Sequence, residues 1–489
     1  MENKKLKEIV IIGLLWRVGE QFGTQIIQFV TQLVLARILM PGDYGVISII
    51  TVFITISQVF VDSGFGQALV QNKKIDNVDL SSVFFANLAV ALTAYIIIFA
   101  SAPMIAGFYK EPIIKYVLRA QGLVIIINAL NVVQNSVMIR NMQFKKSFMG
   151  SGIGTLTQGI VGIILAIMNL GVWALTFSQI ARSIVITIVL WKTVKWKFQF
   201  NFSARRMREL FKYGSGILIS NLVNTIFVNL QTLIVGKKFN SENLGFYTRG
   251  EQFPQLVSNN ITMPLSAVLF PTMTKLQDNR KELKNVMQRI IVMGSYFTFP
   301  LMTILAIVAK PIVLLLLTEK WLPCVPFLQL ACIKFAFSPI HDANLQAITA
   351  IGKSVIFMKL SIVKNVITLM ILFISINFGI FAVAVGGVVA SLLSIFIDIA
   401  PNIKIISYSL KDQLHDLLPN MILAGLVGLI TYSIGYIGLS EYLTGFLQIW
   451  TYGLLYIVFS KMLRMKGLNE SLKILAELQI IIAKKSVTK

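Results

Sequence analysis

Four charged side chains stand inside long apolar stretches, and any chemistry of this chain has to begin with them. Arg17 and Glu20 lie in the stretch 9–39, Arg182 in 172–191 and Lys334 in 323–349. A charge held in hydrocarbon is costly and is kept where it faces a water-filled cavity or a partner. Helical rise places Arg17, which follows Lys7 by about ten residues, roughly 15 Å into the membrane. Arg182 and Lys334 stand at similar depth in their own helices, near the middle of a hydrocarbon core about 30 Å thick. Glu20 follows Arg17 by one helical turn and can pair with it. The balance at mid-depth is therefore cationic. Such a cavity suits an anion, above all a phosphate, which arginine binds through a planar fork and lysine as a point charge. A competing reading makes Arg17–Glu20 a pair that serves helix packing, and gives Arg182 and Lys334 equally structural roles. Asp62, Asp342 and Asp398 lie within two or three turns of one membrane face, and Glu251 lies near the other. Together with Glu20, Asp62 and Asp342 are candidates for carrying a coupling Na+ or H+, or else they face a water-filled vestibule. Arg119, Lys359 and Lys364 stand closer to helix ends, within reach of the interface by snorkelling.

Other chemistries lack their residues. No Gly-x-x-x-x-Gly-Lys-Ser/Thr sequence occurs, so nucleotide hydrolysis is not expected. His341 and His415 are too far apart for a metal-ligand pair. His341 beside Asp342 reads either as a proton relay or as a single satisfied histidine. Cys324 and Cys332 show neither a Cys-x-x-Cys spacing nor a nearby histidine pair, and read as apolar packing residues. No cofactor and no metal are expected, and transport without covalent chemistry is the function class left.

The elements that must position these charges follow from composition. Of 489 residues, 56% are apolar and 13% charged, against about 45–50% and about 25% in soluble domains. Apolar stretches of spanning length occur near 9–39, 44–70, 81–108, 113–138, 147–168, 172–191, 211–236, 252–274, 290–317, 323–349, 355–377, 380–402, 418–438 and 444–463. The expected fold is all-α, a polytopic membrane protein of about fourteen spans. The first stretch follows Lys4, Lys5 and Lys7 and reaches Pro41 without a small-residue cleavage site, so it reads as a retained helix. With the N-terminus inside, basic residues concentrate in inner segments such as 192–212 and 275–289 and in the C-terminal tail. Outer loops hold Lys110, Lys237, Lys238, Arg249 and Lys320. This asymmetry predicts that both termini are cytoplasmic. Most of the net charge of +23 is then topological, and no nucleic-acid partner is expected. Segment 192–212, with Trp196, Phe198, Phe200 and Phe202 among its cations, reads as an interfacial linker or as a site for anionic headgroups or a cytoplasmic partner. Tail residues 466–485 read as an amphipathic surface helix.

An internal repeat sets the domain organisation. Pro41-Gly42-Asp43-Tyr44-Gly45 lies over Ser241-Glu242-Asn243-Leu244-Gly245, and Asn169-Leu170-Gly171-Val172 lies over Asn377-Phe378-Gly379-Ile380 at a similar offset. Six spans per copy make a parallel repeat, a design in which transporters bind substrate between the halves. The expected division is a six-helix lobe over 1–200, a second over 201–410, helices 13 and 14 over 411–465, and the tail 466–489.

Specific motifs extend this reading. Leu35-Ala36-Arg37-Ile38-Leu39-Met40-Pro41-Gly42-Asp43-Tyr44-Gly45 resembles the first-loop signature of polysaccharide-transport (Wzx-type) flippases, within the multidrug/oligosaccharidyl-lipid/polysaccharide exporter superfamily. Asp62-Ser63-Gly64-Phe65-Gly66-Gln67, Leu244-Gly245-Phe246-Tyr247-Thr248-Arg249, Leu269-Phe270-Pro271-Thr272-Met273 and Leu317-Thr318-Glu319-Lys320-Trp321-Leu322-Pro323 are similar to that family in order and spacing. The resemblance covers about residues 10–400 and is nearest to the colanic- and teichuronic-acid exporter branch. It implies two six-helix lobes around a central cavity, with alternating access. The implied substrate is a polyprenyl-pyrophosphate-linked oligosaccharide, turned from the inner to the outer leaflet of a bacterial cytoplasmic membrane, with Arg17 matching a cavity arginine of the first helix. Implied partners are the lipid-linked glycan, membrane lipids, a coupling Na+ or H+, and polysaccharide polymerase and glycosyltransferase machinery. A cation-coupled multidrug antiporter and a lipid II flippase of the same superfamily stay open as alternatives, as does a membrane scaffold for glycan assembly.

Overall fold

The computed structural model describes residues 2–62, 65–71, 75–194, 196 and 199–471. Side chains are described for these except at 2–15, 17, 18, 65, 67, 71, 209, 210, 212–214, 217 and 267–269. Every element among the described residues is helical. In chain order they are α1 (Glu2–Ile38), α2 (Pro41–Asp62), α3 (Phe65–Gln71), α4 (Asn77–Tyr109), α5 (Ile113–Ala129), α6 (Val132–Arg140), α7 (Phe144–Ile167), α8 (Val172–Thr193) and α9 (Ala204–Lys238). There follow α10 (Ser241–Lys275), α11 (Arg280–Ile307), α12 (Ala309–Leu316), α13 (Val325–Ala336), α14 (Ser338–Ala350), α15 (Ser354–Ser375), α16 (Ile380–Ile405), α17 (Leu410–Tyr432) and α18 (Glu441–Met462).

Eleven described spans are long and apolar enough to cross a membrane, and twelve if the α5–α6 pair, bent by 40°, is one span. The expected fourteen is therefore not reached on length and composition. The two remaining stretches fall on α1 and α10, of 37 and 35 residues. Large apolar side chains stay exposed along the helices, among them Met104, Leu429, Ile167 and Trp450. Contiguous apolar surface of this extent is what a bilayer covers. The molecule is a multi-pass membrane protein.

The chain divides into two compact units, Met1–Gly245 and Phe246–Lys489, with the boundary inside α10. In the first unit α7 packs against both α1 and α8. It does so with a face of small residues: a Cβ on Gly154 would come 2.6 Å from Ile186 of α8, and one on Gly159 would come 2.6 Å from Thr31 of α1. Small residues let membrane helices approach closely where no hydrophobic driving force separates protein from lipid. Leu35, Leu39, Ala166, Ala174 and Leu175 close one end of this group, and Phe84, Leu190, Val194 and Trp196 close the other. Of the aromatic residues of segment 192–212, Trp196 is thus buried, whereas Phe200 and Phe202 are exposed. The N-termini of α2 and α10 cross at Gly45 and Gly245, each lying against the other helix's backbone.

In the second unit α11 is the central helix, packed by α13, α14 and α17. Pro326 and Pro339 start α13 and α14 within their first two positions, where a missing N–H costs nothing. Cys324 and Cys332 are buried free thiols, as their spacing suggests. The described tail runs helically over 466–471; the rest of the expected amphipathic tail, 472–489, lies outside the described residues.

The start of α4 shows how an exposed charge sets a helix end. Asp76 accepts from Val78 N and Asp79 N while Asp79 accepts from Asp76 N, a reciprocal cap. Arg206 of α9 pairs with both, at 2.5 Å from Asp76 and 3.2 Å from Asp79. The guanidinium holds the Asp76 carboxyl below the usual carboxylate range. A depressed carboxyl stabilises the fold above its ordinary pKa of 3.8 and loses that contribution as pH falls through its folded value. Protection of the Val78 and Asp79 amides in hydrogen exchange, corrected for intrinsic rate, should therefore be level from neutral pH down to about 5 and decline below about 4. Asp76→Ala should lower it at neutral pH and flatten the decline below about 4.

Candidate functional site

The charges of the first unit are organised by one face of α7. Ser147 and Ser151, a turn apart, donate to Glu20 Oε1 at 2.8 and 2.6 Å. Gln158, two turns further along the same face, accepts from Arg182 Nη1 at 3.4 Å. One helix thus holds an acid from α1 and a base from α8. Glu20 is 7% exposed, a buried carboxylate with hydroxyl donors in place. Arg17 stands on α1, but its side chain lies outside the described residues. Arg182 is half-buried, and among the described residues no carboxylate pairs with it. A neutral amide leaves its charge uncompensated. Asp62 ends α2 on an exposed position and accepts from Gln58 Nε2 at 3.2 Å, and Gln58 in turn accepts from Asn128.

The second unit arranges its charges differently. Lys334 of α13 lies 2.7 Å from Glu251 of α10, and Tyr247 donates to the same Glu251 oxygen at 3.1 Å. Lys334 is therefore an internal ion pair, not an isolated cation. Sequence depth put Glu251 near a membrane face and gave Lys334 no partner.

A second cluster joins three helices. Asp398 of α16 is fully buried. Its Oδ2 lies 2.8 Å from His341 Nδ1 of α14, and its Oδ1 lies 2.8 Å from Lys364 Nζ of α15. His341 is satisfied by Asp398 and not by its neighbour Asp342, which is half-buried beside the cluster. None of the three was singled out as a group by sequence, although opposite charges at similar depth in neighbouring apolar stretches were the available signal. Towards the Ile405 end of α16 the polar track continues through Asn402, which donates to Asn344 Oδ1 at 2.8 Å, and Asn344, which donates to Gln413 Oε1 at 2.8 Å. Asp416 closes it, accepting two bonds from Gln288 and one from Tyr408. Burial, reinforced by Asp416, pushes the Tyr408 phenol well above its ordinary range, so it stays a donor. No group of three or more His, Cys, Asp and Glu side chains able to hold a metal occurs among the described residues.

Among the described residues, the two units thus hold a half-buried arginine without a carboxylate partner and two acid–base clusters in which charge is neutralised.

Comparison with known proteins gives the same direction. The succinoglycan biosynthesis transport protein ExoT of Rhizobium meliloti is 24% identical over 353 residues, 72% of each chain. The teichuronic acid biosynthesis protein TuaB of Bacillus subtilis is 24% identical over 301 residues, 61% of this chain and 62% of that one. Among solved structures, the lipid II flippase MurJ in an inward closed conformation superposes with a TM-score of 0.78 at 16% identity, over 92% of this chain and 98% of that chain. At that identity the likeness is one of fold. The model for the family described as "Polysaccharide biosynthesis protein" matches residues 34–326, more than half of the chain. With its loop motifs, its helical fold and this match in agreement, the chain belongs to the polysaccharide biosynthesis protein family.

Proposed function

We propose that this chain is a flippase: it carries a polyprenyl-pyrophosphate-linked oligosaccharide, the repeat unit of a surface polysaccharide, from the inner to the outer leaflet of the bacterial cytoplasmic membrane by alternating access. Membership of the family carries the substrate class, and Arg182 carries the chemistry. A half-buried guanidinium held by a neutral amide keeps its charge and its fork for an incoming anion, and a pyrophosphate is the charged part of such a lipid. Arg17 acts with Arg182 in the first unit, and Lys334, paired with Glu251, is the supporting cation of the second. The termini are cytoplasmic in this reading, following the distribution of loop cations. Glu20 fixes α1 against α7, and Asp62 and Asp342 lie within reach of water.

Removal of the gene tests the reading. Polymer output should fall at least tenfold, with build-up of the lipid-linked repeat unit in membrane extracts. Undiminished polymer with no build-up would overturn it.

A further inference from the structure

The flippase reading leaves open what drives the cycle, and the cluster at Asp398 bears on that. Its carboxylate is fully buried between a histidine and a lysine from two other helices. Oδ1 faces the Lys364 ammonium at 2.8 Å, and Oδ2 faces His341 Nδ1 at 2.8 Å. An ionised carboxylate only accepts, so the imidazole presents Nδ1–H to Oδ2 and its lone pair at Nε2. His341 is 17% exposed at its side chain, which gives that second nitrogen a path to water.

Neighbouring helices add little further charge. From its own helix Asp342 stands beside His341. On α15 and α16, Lys359 and Lys404 are exposed. On α11, Arg280, Lys281 and Glu282 are exposed, Lys284 pairs with Asp412, Arg289 pairs with Glu470, and Tyr296 stacks on Tyr456. On α13 and α10, Lys334, Glu251 and Tyr247 engage one another, Arg249 lies over Phe253 and Trp321, and Lys275 is exposed. The cluster's charge is thus set by His341, Asp342, Lys364 and Asp398.

We propose that His341, Asp398 and Lys364 form the proton-binding site of the transport cycle, which rests on the flippase reading above. A proton adds to His341 Nε2 and no bond is broken; Nδ1–H stays on Asp398. The imidazolium and the Lys364 ammonium then share one buried carboxylate. That added charge shifts the balance between conformers that hydrate the three helices differently. The two Asp398 oxygens face a protonated amine and an N–H, an arrangement that favours a proton over a sodium ion.

With two histidines in the chain, His415→Gln at an exposed position leaves His341 as the sole reporter. Nitrogen-15 resonances of His341 in the full-length chain, held in phosphatidylethanolamine–phosphatidylglycerol nanodiscs, should move reversibly between neutral and acidic buffer as Nε2 gains a proton. They should be the same in sodium and potassium buffers. Asp398→Asn should weaken that response, since the carboxylate that favours the imidazolium is gone. In cells, His341→Gln should lose the dependence of polymer output on external pH. Resonances that stay still across this range, or that ignore Asp398→Asn, overturn the proton site even if export needs the chain. Export that never needed the chain overturns the flippase reading, and the transport role of the site with it, while the titration stands as a property of the cluster.

Discussion

Gly45→Ala should destabilise this protein by about 3 kcal/mol or more. A Cβ at position 45 would lie 1.7 Å from the Ser241 carbonyl oxygen, 2.5 Å from its carbon and 2.9 Å from its Cα. All three atoms are backbone, so no flexible side chain can yield, and the N-terminus of α10 would have to move by more than an ångström. The reverse holds for Gly245, whose Cβ would lie 2.0 Å from the Pro41 carbonyl oxygen. Overpacking of a close contact costs about 1–3 kcal/mol and sometimes more, and backbone on backbone belongs at the upper end. The variant should melt well below wild type by scanning fluorimetry and should fail to restore polymer output. Gly245→Ala should do the same, and the double variant should be less than additive because one displacement relieves both clashes. Gly42→Ala and Gly19→Ala, which meet nothing within 4 Å, are the controls and should melt as wild type does. A Gly45→Ala protein with unchanged melting and output would refute the crossing.

Arg182→Ala should abolish export while leaving the protein in the membrane. Truncating one partner of a buried charge pair costs about 2–5 kcal/mol, a loss of at least about 30-fold in binding. The comparison with other cations sharpens the expectation. Arg17→Ala should match Arg182→Ala. Arg182→Lys keeps the charge and loses the fork, and should keep a fraction of the output. Lys334→Ala should be milder in its effect on substrate, because Glu251 already neutralises that ammonium. Polymer output measured at equal membrane abundance decides the order, and normal output from Arg182→Ala removes it from the site.

How far the sequence specified the molecule can be judged element by element. Apolar length placed eleven of the fourteen expected spans, or twelve if the α5–α6 pair counts as one, since a bilayer demands about twenty residues; the described stretches on α1 and α10 do not reach that apolar measure. Breaks within spans were not visible: the stretch 113–138 bends between α5 and α6, 290–317 divides at Val308, and 323–349 divides at Phe337. Such breaks are set by which neighbour takes up the freed backbone groups. Hydropathy does not carry that information.

The charges show the same limit. Spacing along one helix says which residues share a face. It could not say that Glu20 would find Ser147 and Ser151 on α7, nor that Lys334 would find Glu251. Lys364 read as a snorkelling residue, and instead it meets Asp398. His341 read as one satisfied histidine or as a relay with Asp342, and its partner is Asp398, from a helix more than fifty residues away. Partners across helices follow from packing, and packing of small residues against each other leaves little trace in charge or hydropathy.

The flippase reading stands on leaflet location. Spheroplasts that accumulate the lipid-linked repeat unit can be treated with a membrane-impermeant reagent that oxidises or binds its sugars. Without this chain the accumulated lipid should be protected from the reagent, and expression of the wild-type chain, but not of the Arg182→Ala variant, should make it accessible. Equal accessibility with and without the chain would contradict the account.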